Sequence, residues 1–202
     1  CLKARQLKKI LLPIGNLTKN DVRNKAKQLG LKVYNKPDSQ EICFIPDNNY
    51  SDFIKKFKNI QPAKGDIIDV SGKLLGHHTG FWNFTIGQRR GIGIAAKAPL
   101  YVTEIRPKHN AIVVGEAGEI KKRRFLVKKV NWLAKAAKNE RELEVKIRYN
   151  HKKALASVKD LGRGMTEVNF KEPQAAITPG QAAVFYAGEY VEGGGWIDQI
   201  LG

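Results

Sequence analysis

Cysteine is scarce in this sequence: Cys1 and Cys43 are the only two in 202 residues. Two thiols cannot build a disulfide framework, so a reducing, intracellular setting is the expectation. Long apolar runs are missing as well. No stretch is long enough to span a bilayer and none has the form of a signal-peptide core, so no membrane association is expected. The four histidines are scattered. His77 and His78 are adjacent, and on a strand they point to opposite faces. With no cysteine pair at ligand spacing, no metal site is expected, and no Ser–His–Asp set can be argued. A phosphate-cradling loop is absent too. GIGIAA at Gly91–Ala96 matches half of a dinucleotide fingerprint but lacks the third glycine and a following helix, so it reads as a bulge or turn.

Acidic residues are the remaining scarcity. Nineteen Asp and Glu face 36 Lys and Arg, a net charge of +17 spread along the chain. Such a field attracts polyanions, nucleic acid first. Hydrophobic residues make up 42%, enough for a folded core. The chain begins at Cys1, and Leu2, Leu7, Ile10 and Leu11 look like the end of an element already under way. A piece of a longer protein is the expectation.

The clearest helix lies in Asn16–Gly30. Thr18 suits the N-cap, Asp21 stands at the third helical position, Gly30 is a stop, and Leu17 with Val22 have the spacing of a hydrophobic staple. LKVYN (residues 31–35) reads as a short strand. KPDSQEICFIP (residues 36–46) reads as a loop, because Pro37 and Pro46 break regular structure. Tyr50–Phe57 is a short amphipathic helix. From Gly65 the period changes to two. DIIDV–SG–KLLGHH and PLYVTEI–RPKHN–AIVVG read as hairpins. After Gly118 six short strand segments follow at close spacing, the signature of a small closed barrel. The stretch AKAAKNER between the first two is one helical turn or a loop. The expected fold is mainly β, with a short α/β N-terminal part (residues 1–55), a small central β domain (56–118) and a C-terminal β-barrel (119–202).

Three groups of residues are candidates for chemistry. TIGQRRG (residues 85–91) puts Arg89 and Arg90 in a turn between Gly87 and Gly91, where guanidiniums can grip a phosphate; an ordinary basic turn is the equal alternative. ELEVKIRY (residues 142–149) alternates, with Leu143, Val145, Ile147 and Tyr149 on one face. Arg148 and Tyr149 close that strand, where a cation and a ring can meet a nucleotide. Cys43 is either a small buried hydrophobe, as Ile42, Phe44 and Ile45 favour, or a reactive loop thiol. The residues alone rank the first reading ahead.

Taken together, LLPIGNLTKNDVRNKAKQLGL, KPDSQEICFIP, GHHTGFWNFTIGQRRGIGI, IRY and TPGQAAVFYAGEYVEGGGWI resemble the bacterial-type tRNA-specific 2-thiouridylase family in order and spacing. FWNFTIGQ departs modestly from the usual aromatic pattern. The resemblance implies the end of an ATP-pyrophosphatase domain, a central domain and a barrel like the second domain of translation factors. It implies a tRNA-uridine 2-sulfurtransferase: ATP with Mg activates the wobble uridine of glutamate, glutamine and lysine tRNAs, and a persulfide delivered by an upstream sulfur-relay protein supplies sulfur to C2. Cys43 matches the persulfide-bearing cysteine; Arg148, Tyr149 and Gln181 match tRNA contacts. The partner cysteine and catalytic aspartate of the family lie upstream, so neither Cys1 nor Asp38 takes those roles. ATP is expected in the full-length enzyme and not on this chain, which is expected to be inactive alone. A monomer in the cytoplasm is implied, or in a mitochondrion or plastid if the source is eukaryotic. The rival reading is a non-enzymatic RNA-binding barrel with a structural cysteine.

Overall fold

The computed structural model describes residues 2–37, 45, 50–58, 63–136 and 139–201. The chain divides into two compact units: Arg5–Ile60, and Gln61–Gly202 together with Cys1–Ala4.

The smaller unit is helical where described. A single turn α1 (Ala4–Leu7) leads in, followed by α2 (Lys19–Gln28) and α3 (Tyr50–Lys58). Helix α2 starts at the expected residue. The Asp21 N–H donates to Thr18 Oγ1 at 3.2 Å and the Thr18 N–H donates to Asp21 Oδ2 at 3.0 Å, a reciprocal capping box. The Thr18 hydroxyl also donates to Asp21 Oδ2 at 2.6 Å, and this bond, ahead of the one from the Thr18 N–H, holds the Asp21 carboxyl below the usual carboxylate range. Gly30, at φ 68°, follows the helix in the left-handed region that a glycine adopts without strain. The short strand expected at residues 31–35 is absent. The Tyr34 and Lys36 N–H groups donate to Leu31 and Val33 carbonyls at 3.1 and 3.0 Å. These tight local bonds leave no extended backbone for a neighbour to pair with. The amphipathic helix expected at Tyr50 forms, with Phe53 and Phe57 stacked one turn apart, ring centres 5.7 Å away from each other.

The larger unit opens with a four-stranded sheet built from both expected hairpins. Its strands are β1 (Gly65–Asp69), β2 (Leu74–His78), β3 (Tyr101–Arg106) and β4 (Ala111–Gly115), in the order β2-β1-β4-β3. In the first turn, Asp69 Oδ1 accepts from the Ser71 and Lys73 N–H groups, each at 2.9 Å. The two hairpins join through β1 and β4, which run parallel. Ile67, Val102, Ile112 and Val114 fill one core with Ile92. His77 and His78 face opposite ways, as expected: His77 is exposed and meets Asp66 at 3.0 Å, whereas His78 is buried and its Nδ1 accepts from the Gly80 N–H at 3.0 Å. Burial pushes the His78 pKa down, so the ring is neutral with its proton on Nε2.

Six strands then close into the expected barrel: β5 (Lys121–Trp132), β6 (Arg141–Lys146), β7 (Ala154–Gly162), β8 (Met165–Ala175), β9 (Ala182–Ala187) and β10 (Tyr190–Leu201). They run β10-β5-β8-β7-β6-β9 around the barrel. Alternation sends Phe125, Val127, Leu143, Val145, Val158, Val168, Phe170 and Phe185 inward. Arg163 and Gly164, at φ 52° and 74°, form a two-residue turn that matches the twist of β7 and β8. Residues 133–136, in the stretch left open as helix or loop, are irregular.

Candidate nucleic-acid interface

One rim of the barrel gathers the residues singled out at the C-terminal end of the chain. Strand β6 buries Leu143 and Val145 and stops at Lys146; Ile147 is still buried. The chain then leaves the sheet in a turn closed by the His151 N–H, which donates to the Arg148 carbonyl at 3.1 Å. This overturns the expectation that Tyr149 shares the face of Leu143 and Val145. The pleat ends before Tyr149, and its ring is 91% exposed. Lys146 Nζ lies 5.6 Å from the centre of that ring. A cation against one face of an exposed aromatic ring strengthens it as a platform for a stacked base.

Gln181 lies at the same rim, for a reason of register. Strands β6 and β9 are antiparallel, with Lys146 opposite Val184. The exit of β6 therefore adjoins the entry of β9. The Gln181 N–H donates to the Thr178 carbonyl at 3.2 Å, and its carbonyl accepts from the Ile197 N–H at 2.8 Å. The backbone is fixed and the amide side chain is exposed. His151, at the same rim, adds no charge. Burial pushes its pKa down, and its Nε2 meets Gln174 Oε1 at 3.1 Å, so the proton sits on Nε2 of a neutral ring.

The arginine turn is held from several sides. Residues 85–88 form a tight turn in which the Gln88 N–H donates to the Thr85 carbonyl at 2.9 Å. Gly87, at φ 91°, occupies the third position, which demands a positive φ. The Gly87 N–H donates to the Val102 carbonyl at 2.8 Å and the Val102 N–H to the Gln88 carbonyl at 2.9 Å, which sews the turn to β3. Beyond it, Gly91 and Gly93, at φ 73° and 78°, carry an irregular segment where a bulge or turn is expected for GIGIAA. Among the described residues it pairs with no strand, so no bulge forms. Arg89 and Arg90 are exposed. Among the described residues no carboxylate pairs with Arg89, Arg90, Lys146 or Arg148. Elsewhere on the barrel, cations are neutralised, as in Arg124–Glu167 at 2.8 Å and Lys153–Glu144 at 3.0 Å.

Turn and rim adjoin. A Cβ on Gly87 would stand 2.8 Å from the Ala176 Cβ. The Ala176 carbonyl accepts from the Thr178 hydroxyl at 3.0 Å, and Thr178 in turn holds Gln181. Candidates from three parts of the sequence thus belong to one region: Arg148, Tyr149 and Gln181 on the rim, and the turn that carries Arg89 and Arg90 docked beside Ala176. Lys146 and Gln88 were not singled out in the sequence. Lys146 carried a usable signal, three residues before an aromatic at a strand end; Gln88 carried none. Cys43 lies outside the described residues. Among the described residues no three His, Cys, Asp or Glu side chains form a group that could hold a metal, and no helix is long and apolar enough to cross a membrane.

The domain order defines the class. Three family models match in succession: a tRNA methyl transferase HUP domain over residues 1–47, a tRNA methyl transferase PRC-barrel domain over 51–116 and an aminomethyltransferase beta-barrel domain over 122–197. The chain belongs to the tRNA-specific 2-thiouridylase family. It is similar to the tRNA-specific 2-thiouridylase MnmA of Rickettsia massiliae (strain Mtu5), 47% identical over 198 residues, which cover 97% of this chain and 54% of the relative. The same protein of Koribacter versatilis (strain Ellin345) is 43% identical over 202 residues, 97% of this chain and 55% of the relative. The chain spans about half the length of the curated relatives it matches.

Proposed function

We propose that this chain supplies the tRNA-gripping surface and the sulfur-bearing cysteine for synthesis of 2-thiouridine at the wobble position of tRNA. The observation that carries the RNA part is the rim: unpaired Arg148 and exposed Tyr149 against Lys146 at the exit of one strand, and exposed Gln181 at the entry of its neighbour, with the turn that carries Arg89 and Arg90 docked against Ala176. Arg148, Arg89 and Arg90 hold phosphates, Tyr149 stacks on an unpaired base, and Gln181 offers a donor and an acceptor. Relatives named as tRNA-specific 2-thiouridylases support tRNA as the ligand, with glutamate, glutamine and lysine tRNAs as the substrates.

Cys43 carries a persulfide received from a sulfur-relay protein. Its terminal sulfur passes to C2 of the uridine as the activated oxygen leaves with AMP, and the S–S bond is broken by a second thiol, the upstream partner cysteine that the resemblance implies, which is left in a disulfide with Cys43. ATP supplies the activation of the uridine oxygen that leaves. The first 47 residues have no phosphate-cradling loop in their sequence, so no residue of this chain is assigned to ATP. On this reading the part up to about residue 55 presents the cysteine, residues 56–118 carry the arginine turn and residues 119–202 carry the rim. The 202-residue chain binds tRNA as a monomer and does not thiolate it unaided; its setting is the cytoplasm.

The test is a salt titration of binding to a glutamate tRNA transcript. Releasing counterions from several phosphates makes log K fall linearly with log salt. Arg148→Ala weakens binding about 5- to 30-fold, as loss of a charged contact does, and Tyr149→Ala about as much. A flat salt response, or full affinity in both variants, sinks the proposal.

A further inference from the structure

Gln88 sits at the centre of the arginine turn and turns its side-chain amide back onto the turn's own backbone. Its side-chain oxygen accepts from the Thr85 N–H at 3.0 Å. Its side-chain nitrogen donates to the Arg90 carbonyl at 2.9 Å. One amide thus ties the residue three before it to the residue two after it. Both termini of its backbone are also used, the N–H toward Thr85 and the carbonyl toward Val102, itself fully buried in β3. On the far side Ile92 drops into the core of the four-stranded sheet. The exposed Arg89 and Arg90 are therefore strung between two buried anchors, with the Gln88 amide spanning the gap.

The left-handed glycines at both ends of the segment make this clasp necessary. Gly87 and Gly91 let the backbone take the turn, but they also leave it many other conformations when nothing holds it. A loop that wanders must be ordered at the moment of binding, which weakens association. A glutamine is suited to the clasp because it donates and accepts from one planar group. Glutamate can only accept when ionised, and methionine copies the length without either bond.

We infer that Gln88 is a positioning residue that preorganises Arg89 and Arg90 for an RNA phosphate backbone. The inference rests on the RNA reading proposed above and names a residue that contacts no ligand itself. Its action is through the arginines, so its effect disappears when they are absent.

The experiment is a double-mutant cycle on the 202-residue chain, with a glutamate tRNA transcript as probe. Gln88→Met weakens binding about 3- to 10-fold, the size expected when two long side chains must be ordered on binding. It does so with the thermal midpoint of the larger unit unchanged. In an Arg89→Ala, Arg90→Ala background the same substitution has no further effect. Gln88→Glu, which keeps the Thr85 bond and loses the Arg90 bond, is measured alongside, so that the conclusion does not hang on one variant. Undiminished binding by both Gln88 variants overturns the inference while the RNA reading stands, provided Arg148→Ala still weakens binding. An equal Gln88→Met effect with and without the arginines also overturns it. Absence of salt-dependent binding by the unaltered chain overturns the RNA reading and this inference with it.

Discussion

The small N-terminal unit and the barrel are stabilised by opposite means. In the barrel a continuous core runs from Phe125 to Ile197, and Phe125, Phe170 and Phe185 are almost fully buried. In Arg5–Ile60, Ile45 is the one buried residue among those described, and α2 has none. Its order is local: a capping box, tight turns and a stacked phenylalanine pair one turn apart. The proposed functions divide along the same line. The RNA-facing residues stand on the packed barrel and its neighbouring sheet, where a rigid support can hold several of them in register. The proposed sulfur carrier belongs to the unit that has little core of its own in this chain.

The sharpest way to break this contrast is to cut into each unit. Phe185→Ala removes a fully buried ring that packs against Trp132 at 5.3 Å between centres. It should destabilise the barrel by about 3–5 kcal/mol, read as a lower urea midpoint by tryptophan fluorescence. Leu11→Ala, at a side chain 89% exposed, should change stability by less than about 0.5 kcal/mol. Equal losses would mean that the N-terminal unit has a core of comparable weight.

The same contrast explains what could be read in the sequence. Features set by neighbours in the chain were legible: the Thr18–Asp21 cap, the Asp69–Lys73 turn, the alternation that became β5 to β10. Features set by distant pairing were not. Nothing in Gly65–Asp69 or Ala111–Gly115 announces that they lie parallel, because those hydrogen bonds join residues more than forty positions apart. Alternation alone sets Tyr149 on the face of Leu143 and Val145, because it has no term for where a strand stops. Gln88 was invisible for a further reason. Its partners are backbone groups, and any residue supplies those, so no pattern of side chains marks it. Arg148 and Tyr149 could be suspected from a basic, aromatic strand end; that they share a rim with Gln181 required the β6–β9 register.

A smaller perturbation tests the local side of the comparison. Thr18→Ala removes the hydroxyl that accepts from the Asp21 N–H and donates to its carboxylate, and leaves only the backbone half of the capping box. The loss expected of a helix N-cap is about 1 kcal/mol. Far-ultraviolet circular dichroism should show α2 fraying at a lower temperature, while the fluorescence transition of the barrel stays where it was. A shift of both transitions together would show the two units to be one cooperative block.

Acid should separate the units with the gentlest change of all. His78 in the sheet and His151 at the rim both have pKa values pushed below the usual 6.5 by burial. Their folded forms bind protons less readily than the unfolded chain does. The stability that follows from this is complete above pH 6.5 and is lost as the pH falls through that value toward the folded pKa. Asp21 is also lowered, from 3.8, by its bonds to Thr18, so its contribution is kept until the pH drops below 3.8 and lost beneath it. The larger unit should therefore begin to weaken in mild acid, where α2 is untouched. The measurement is the thermal midpoint by fluorescence and the helical signal by circular dichroism, each between about pH 7 and pH 3. Replacing both histidines with asparagine should flatten the fluorescence midpoint between about pH 6.5 and pH 5 and leave the helical signal's decline below 3.8 intact. A midpoint that ignores pH in the unaltered chain would mean that neither histidine is buried enough to resist its proton. A helical signal that falls along with it in mild acid would mean that α2 leans on the larger unit after all.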